Sequence, residues 1–249
     1  MKPKKCLICG GLSHPLKQID KYGIFKCLQC ALEFTVPMPS AADLRRFYSD
    51  YSDFHAPDKT VTWNARKNIR RLKAYGLTRK TRLLDYGCGK NVFVAQGNSA
   101  AWHGYDAYNE HNSPALLGRS YDFITMWGVL EHLVDPVETV TRLSGMLHSG
   151  GLLVLTTVST ETGIPYRHKP PEHVTYWSHA ALQSLYQQCG LELMECCPYQ
   201  MHQYADIYLR CVLNAAKVPS VLQKHMHWKG RNFILVPTNE VLAIGKKSA

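Results

Sequence analysis

The nine residues from Leu83 to Asn91, LLDYGCGKN, constrain this fold more than any others. Arg82-Leu83-Leu84-Asp85-Tyr86 has the length and character of a buried strand, and it breaks at once into Gly87-Cys88-Gly89. Glycines at alternate positions let the backbone turn tightly and approach a ligand without side-chain interference. A strand, a glycine turn and a helix start near Asn91 predict an open α/β sheet, with ligands bound at the carboxyl ends of the strands. The rest of the chain keeps that rhythm. Strands are predicted at 102–106, 121–127, 151–157 and 191–196, with one or two more within 233–246. One helix is predicted at 62–75, with Ala65, Ile69 and Leu72 facing inward and Gly76 stopping it. A second opens at Asp135-Pro136 and ends at Gly150-Gly151, and a third is capped by Ser178 and closed by Gly190. An earlier helix starts at Ser40, with Leu44, Phe47, Tyr48 and Tyr51 as its apolar stripe. Strands alternating with helices predict an α/β, doubly wound, mostly parallel sheet. The expected division is 1–37 as a cysteine-rich module, 38–80 as linking helices and 81–249 as the α/β domain, with a helical insertion at about 200–230.

The ligand chemistry follows from the acids around the turn. A nicotinamide site would read G-x-G-x-x-G, but Val92 occupies the third glycine position. Asp85 would also oppose a pyrophosphate at the following helix start. The turn suits a cationic ligand without phosphate, and S-adenosylmethionine has a sulfonium, an ammonium group and no phosphate. About 20 residues on, Asp106 can accept both ribose hydroxyls. The plainer alternative is that Asp85 buttresses the turn and Asp106 is a loop acid.

With these residues the sequence resembles the class I S-adenosylmethionine-dependent methyltransferases, over most of its length. The family motif D-x-G-x-G-x-G falls on Asp85, Gly87 and Gly89, with Asn91 in the last glycine place; asparagine tolerates left-handed backbone better than most residues. Residues 122–136 resemble the family's fourth strand and following helix start, and Glu172-His173-Val174 with Ser178 and Gly190 resemble its pattern after strand five. The resemblance implies a Rossmann-like fold and cofactor contacts from Asp85, Tyr86, Gly87, Cys88, Gly89, Asp106 and Ala107. It places Trp127, Gly128 and Val129 against the methionine and sulfonium end. Only 15 residues separate Asp106 from Asp122, which is short for a helix, a full third strand and their loops. The third-strand region is therefore expected to be shortened, and the family's adenine contacts cannot be carried over.

Cys6-x-x-Cys9 and Cys27-x-x-Cys30 are separated by 17 residues, the spacing of a tetrahedral zinc ribbon. Four thiolates leave no open coordination position, so this Zn2+ is expected to be structural. Two pairs of buried free thiols are the alternative. The ribbon and the linking helix resemble a methyltransferase subgroup whose members act in sugar, surface-glycan or natural-product pathways. Cys88, Cys189, Cys196, Cys197 and Cys211 lack metal spacing and are read as packing residues.

Residues 1–80 hold sixteen Lys and Arg against six Asp and Glu, whereas 81–249 hold thirteen of each, so the whole net charge of +10 lies in the first third. Lys67, Arg70, Arg71 and Lys73 crowd one helix surface. They predict either a solvated face or a surface for a phosphorylated substrate or a polyanion. An oxygen acceptor needs a proton acceptor near neutral pH, and His132 and His173 are the first candidates, ahead of Glu131, Tyr166, His168 and Tyr176. Tyr199, His202, Tyr204, Tyr208, His225, His227 and Trp228 are candidates for a lid. No hydrolase or phosphate-loop motif is present. No apolar run is long enough for a membrane span, and the basic start lacks the apolar core of a signal peptide, so a cytoplasmic protein without membrane partners is expected. The expected activity is methyl transfer to a small-molecule acceptor, such as a sugar, nucleotide-sugar or natural-product hydroxyl. The alternatives are an RNA methyltransferase gripping its substrate with the basic third, and a non-catalytic cofactor-binding or scaffold protein on a degenerate fold.

Overall fold

The structure is a computed structural model that describes residues 1–40, 42–44, 46–47, 59–108, 111, 113–164, 166, 168–215 and 233–248. Two sheets organise it. The first contains β1 (Lys4–Lys5), β2 (Leu12–Ile19), β3 (Tyr22–Cys27) and β4 (Glu33–Val36), all antiparallel neighbours, and is completed by β9 (Thr175–Tyr176) from far along the chain. The second has six strands in the order β10-β11-β8-β7-β5-β6. Its members are β5 (Leu83–Tyr86), β6 (Trp102–Tyr105), β7 (Tyr121–Trp127), β8 (Leu147–Val158), β10 (Leu191–Tyr204) and β11 (Phe233–Lys247). The β5–β6, β5–β7 and β7–β8 pairs are parallel; β11 runs antiparallel to both β8 and β10. β11 is thus the one reversed strand, and the sheet is mostly parallel as expected.

Helices α1 (Lys59–Lys73) and α2 (Val92–Gly97) cover one face. There Ala65, Leu72, Leu83, Phe93, Trp102, Phe123 and Val154 pack as one cluster. α1 is therefore part of the sheet's cover rather than a free connection. Helices α3 (Pro136–Met146) and α4 (His179–Gln188) cover the other face, with Val140, Leu143, Leu182 and Leu185 buried against Leu84, Ile124 and Leu153. The predicted caps are present: Asp135 accepts the amide of Glu138 at 2.8 Å, and Ser178 Oγ accepts that of Ala181 at 3.0 Å. A fifth helix, α5 (Ala205–Ala215), follows β10.

Two boundaries differ from expectation, and the third-strand region is short as expected. Gly150 and Gly151 lie inside β8 rather than ending α3, because the chain turns into the strand at Leu147. β10 continues to Tyr204, into the expected helical insertion, because its long antiparallel ladder with β11 satisfies the backbone there. Between β6 and β7 a single 3-10 turn, Pro114–Gly118, stands where the third strand of the fold would be, so β6 is the sheet's edge. Residues 42–44 and 46–47 are helical, and Ser40 Oγ accepts the amide of Asp43 at 3.1 Å. Tyr48, Tyr51, His225, His227 and Trp228 lie outside the described residues. No helix among the described residues is long and apolar enough to cross a membrane.

Candidate active site

The glycine turn leaves the carboxyl end of β5 in the conformation its residues allow. Gly87, Gly89 and Asn91 all have positive φ, at 75°, 52° and 57°. Asn91 therefore takes the left-handed place that a third glycine would fill. A Cβ on Gly87 would stand 2.5 Å from Val129 Cγ2, so the turn after β5 and the turn after β7 are in direct contact. Asn91 packs its amide against Gly104 of β6, and its Oδ1 is buried with no hydrogen-bond partner.

Asp85 is 2% exposed, and its carboxylate accepts a 2.7 Å hydrogen bond from Thr125 Oγ1. The parallel register places Asp85 opposite Thr125, which explains the contact. Burial raises the Asp85 carboxyl to about 7, against the hydrogen bond from Thr125; the charge of Asp106 raises it further. A cationic ligand beside it would favour the ionised form. Asp106 follows β6 directly. Its Oδ2 accepts the amide of Gly89 at 3.0 Å and its Oδ1 that of Tyr108 at 2.9 Å. It thus braces the glycine turn, a role that sequence spacing does not reveal, and each oxygen keeps a further lone pair for a ribose hydroxyl. Tyr86 stacks on Tyr105 at 5.4 Å and accepts a hydrogen bond from Arg142 at its hydroxyl. Cys88 is half-buried beside Gly104, and Ala107 is exposed after Asp106.

At the end of β7, Trp127 leans on Phe93 at 5.1 Å and its indole N–H is buried without an acceptor. Gly128 has φ 63°, and its amide donates to Thr156. The turn Leu130–His132 follows. Glu131 is 3% exposed and accepts a 2.9 Å hydrogen bond from Thr157 Oγ1. Burial raises its carboxyl to about 7. His132 Nδ1 lies 2.8 Å from the Glu172 carbonyl, and its ring meets that of His173 edge-on at 4.8 Å. Burial lowers the pKa of both imidazoles, that of His173 to about 3, with the neighbouring His132 and Lys169 contributing. The two predicted histidines, forty-one positions apart, are therefore brought together.

The sequence profile of a family described as methyltransferase domain matches residues 59–195, more than half of the chain, and includes every element just described. The chain is a class I S-adenosylmethionine-dependent methyltransferase. No curated protein matches it. Among solved structures, the [4+2]-cyclase SpnF aligns at 15% identity with a TM-score of 0.52, over 86% of this chain and 99% of that one. The YcgJ protein of Bacillus subtilis aligns at 15% identity and 0.48, over 72% and 97%. An S-adenosylmethionine-dependent methyltransferase of Clostridium acetobutylicum aligns at 11% identity and 0.48, over 83% and 99%. The SpnF likeness carries the fold alone.

The residues of this methyltransferase fit its cofactor: a glycine bend with two flanking carboxylates, and two orphaned polar atoms, Asn91 Oδ1 and Trp127 Nε1, around it. The four ribbon cysteines also converge. Cys6 and Cys30 place their sulfurs 3.6 Å apart, Cys9 and Cys27 theirs 3.4 Å apart, and all four lie within 4.8 Å of one another. Tetrahedral Zn–S bonds of 2.3 Å put sulfurs about 3.8 Å apart, so the cluster has the right size for the ion. The bond from Cys30 draws the Cys6 thiol down to about 5 against burial, while Cys30 is driven up.

One group escaped sequence reasoning. Glu33 of β4 is 2% exposed and accepts hydrogen bonds from His168 Nε2 and Tyr166 OH, each 2.8 Å, and the ammonium of Lys26 lies 3.2 Å away. Burial pushes its carboxyl up, and these donors more than reverse the effect, leaving it below the ordinary carboxylate range. His168 in turn lies edge-on to Tyr176 at 4.5 Å. The ribbon thus holds the segment that carries His173. A glutamate in a short buried strand has no sequence signal for this; the β4–β9 pairing brings it to the segment before β9.

The basic helix face is partly consumed by packing. Lys67 lies over the Tyr199 ring at 3.8 Å and donates to the Gln200 carbonyl, and burial lowers its pKa to about 8. Arg71 and Tyr75 both bind Glu195.

Proposed function

We propose that this methyltransferase moves the sulfonium methyl group to a hydroxyl of a small molecule: a sugar, a nucleotide-linked sugar or a natural product. The observation that supports this reading is the contact between the Gly87 turn and the Val129 turn, with Glu131, His132 and His173 gathered just beyond the latter. Bound S-adenosylmethionine would supply the electrophilic methyl group. Asp85 and Asp106 would hold its cationic and ribose ends, with Tyr86, Gly87, Cys88, Gly89, Ala107, Trp127, Gly128 and Val129 around it. As the methyl group passes to the acceptor, His132 and His173 would stand at the corner where the hydroxyl proton leaves. In-line alignment of donor and acceptor would supply much of the acceleration. We assign a structural zinc to Cys6, Cys9, Cys27 and Cys30. The remaining basic charge of the first third would favour a phosphorylated acceptor.

The engagement of Lys67 and Arg71 with β10 and its neighbours argues against RNA as the substrate. We place the enzyme in the cytoplasm, where thiolates stay reduced and available to a metal. Titration calorimetry with S-adenosylhomocysteine tests the cradle: saturable binding supports it, and no heat at millimolar ligand overturns it. Filter binding to RNA at low and high salt tests the acceptor. Tight, steeply salt-dependent retention would replace the small-molecule reading.

A further inference from the structure

The turn after β7 and the segment before β9 are clamped together by backbone: the amide of Val174 donates to the Glu131 carbonyl at 2.8 Å, and Thr175 Oγ1 donates to that of Leu130 at 3.4 Å. This clamp gathers Glu131, His132 and His173 so that one ligand-type atom of each lies within 4.8 Å of the others. Glu131 is a buried carboxylate held by Thr157, and among the described residues no Lys or Arg stands within ion-pair distance of it. A carboxylate sunk in that way is costly unless it takes up a proton or a cation neutralises it, and two imidazoles beside it complete a donor set for a cation.

The two imidazoles are oriented as ligands are. A carbonyl can only accept, so the 2.8 Å contact with Glu172 puts the proton of His132 on Nδ1 and the lone pair on Nε2. The carboxylate of the same Glu172 lies 3.6 Å from His173 Nε2, while His173 Nδ1 is buried with no hydrogen-bond partner. Glu172 thus fixes the His132 ring through its carbonyl, as outer-shell groups do in metal sites, and its carboxylate stands close to the other ring.

We propose that Glu131, His132 and His173 bind a divalent transition-metal cation such as Zn2+, Co2+ or Mn2+, separately from the ribbon cysteines. Two imidazoles and one carboxylate are a recurrent donor set for such ions and leave coordination positions open. Ligands at about 2.0–2.2 Å from an ion sit roughly 3–4 Å from one another, so closure needs a shift of about an ångström. An ion held there would lie beside the proposed acceptor site and would favour acceptors with a second oxygen next to the methylated one. This use of the ion rests on the methyl-transfer reading; the binding does not.

The test uses full-length protein carrying its ribbon metal, titrated with Co2+ and followed by visible absorption. The expected result is one further equivalent with ligand-field bands and no intense thiolate charge-transfer band. Histidine ring protons shifted by the paramagnetic ion in the unsubstituted protein are expected with it. Glu131→Gln and His173→Ala should each weaken this uptake about tenfold or more, in protein whose thermal transition and S-adenosylhomocysteine binding remain cooperative and saturable. Overturning results are no second equivalent at millimolar Co2+, uptake unchanged in both variants, or the absence of shifted histidine protons. Co2+ uptake in protein that ignores S-adenosylhomocysteine would sink the methyl-transfer reading and leave the metal site standing.

Discussion

The ribbon and the six-stranded sheet reach order by opposite routes. The sheet is buried on both faces by helices, and its strands are runs of apolar residues: Leu83, Leu84, Ile124, Leu153 and Val154 are all fully or almost fully covered. The ribbon is too small for such a core. β2 alternates hardly at all and lies mostly exposed. Phe25, Leu32 and Phe34 join the core of the larger domain, a strand is borrowed from that domain, and four cysteines converge within the ribbon. The comparison teaches that the ribbon is a clamp on the 160–178 segment as much as a separate module. Gln188 donates to the Ile8 carbonyl, Ser178 to that of Cys30, and the Thr35 amide to that of Val174.

If the ribbon depends on metal and the sheet does not, Cys27→Ser should break one and spare the other. This is the largest effect expected, several kcal/mol of ribbon stability on the scale of metal-coupled folding. Metal analysis should show loss of the ribbon ion. Hydrogen exchange should accelerate at Thr35 and at 174–176 while β5 and β7 stay protected. Equal acceleration in β5 would mean the two regions form one cooperative unit.

Gly87→Ala probes the sheet's own weak point. The new Cβ would collide with Val129 at a position of positive φ. A loss of about 2–3 kcal/mol in denaturant midpoint is expected. Adding Val129→Ala should recover the collision part and leave the backbone strain of about 1–2 kcal/mol.

Asp106→Ala should weaken S-adenosylhomocysteine at least tenfold by calorimetry, about 1.4 kcal/mol or more. It removes a carboxylate and also releases the amides of Gly89 and Tyr108. Unchanged affinity would remove Asp106 from the ribose role.

Glu33→Gln is the mildest, about 1 kcal/mol at neutral pH, and it sharpens the comparison through acid. The folded Glu33 carboxyl lies below its ordinary value. Its contribution is therefore complete above the ordinary carboxylate range and is lost as pH falls through the depressed value. Stability measured downward through that window should fall more steeply in the native protein than in Glu33→Gln at the same zinc content.

Much of this was legible without coordinates wherever the signal was local. Asp135 and Ser178 announce their helices because a cap acts within three residues. Tyr121–Trp127 reads as a strand from its own apolar content, and the shortage of chain between Asp106 and Asp122 already announces a missing strand. The end of β10 was misread, since residues near Met201 owe their strand to a partner that follows α5 in the chain.

What the sequence determined by itself were the groups whose meaning lies in spacing: the two cysteine pairs, the glycine bend with its flanking acids, and the order of strands and helices. Tertiary structure alone decided that Thr125 holds Asp85, that Asp106 braces Gly89, that Glu33 grips His168, and that His132 meets His173. Each of those contacts joins residues seventeen to one hundred and thirty-five positions apart. Their chemistry depends on burial and direction, which no linear pattern encodes, because both are set by how separate strands come into register.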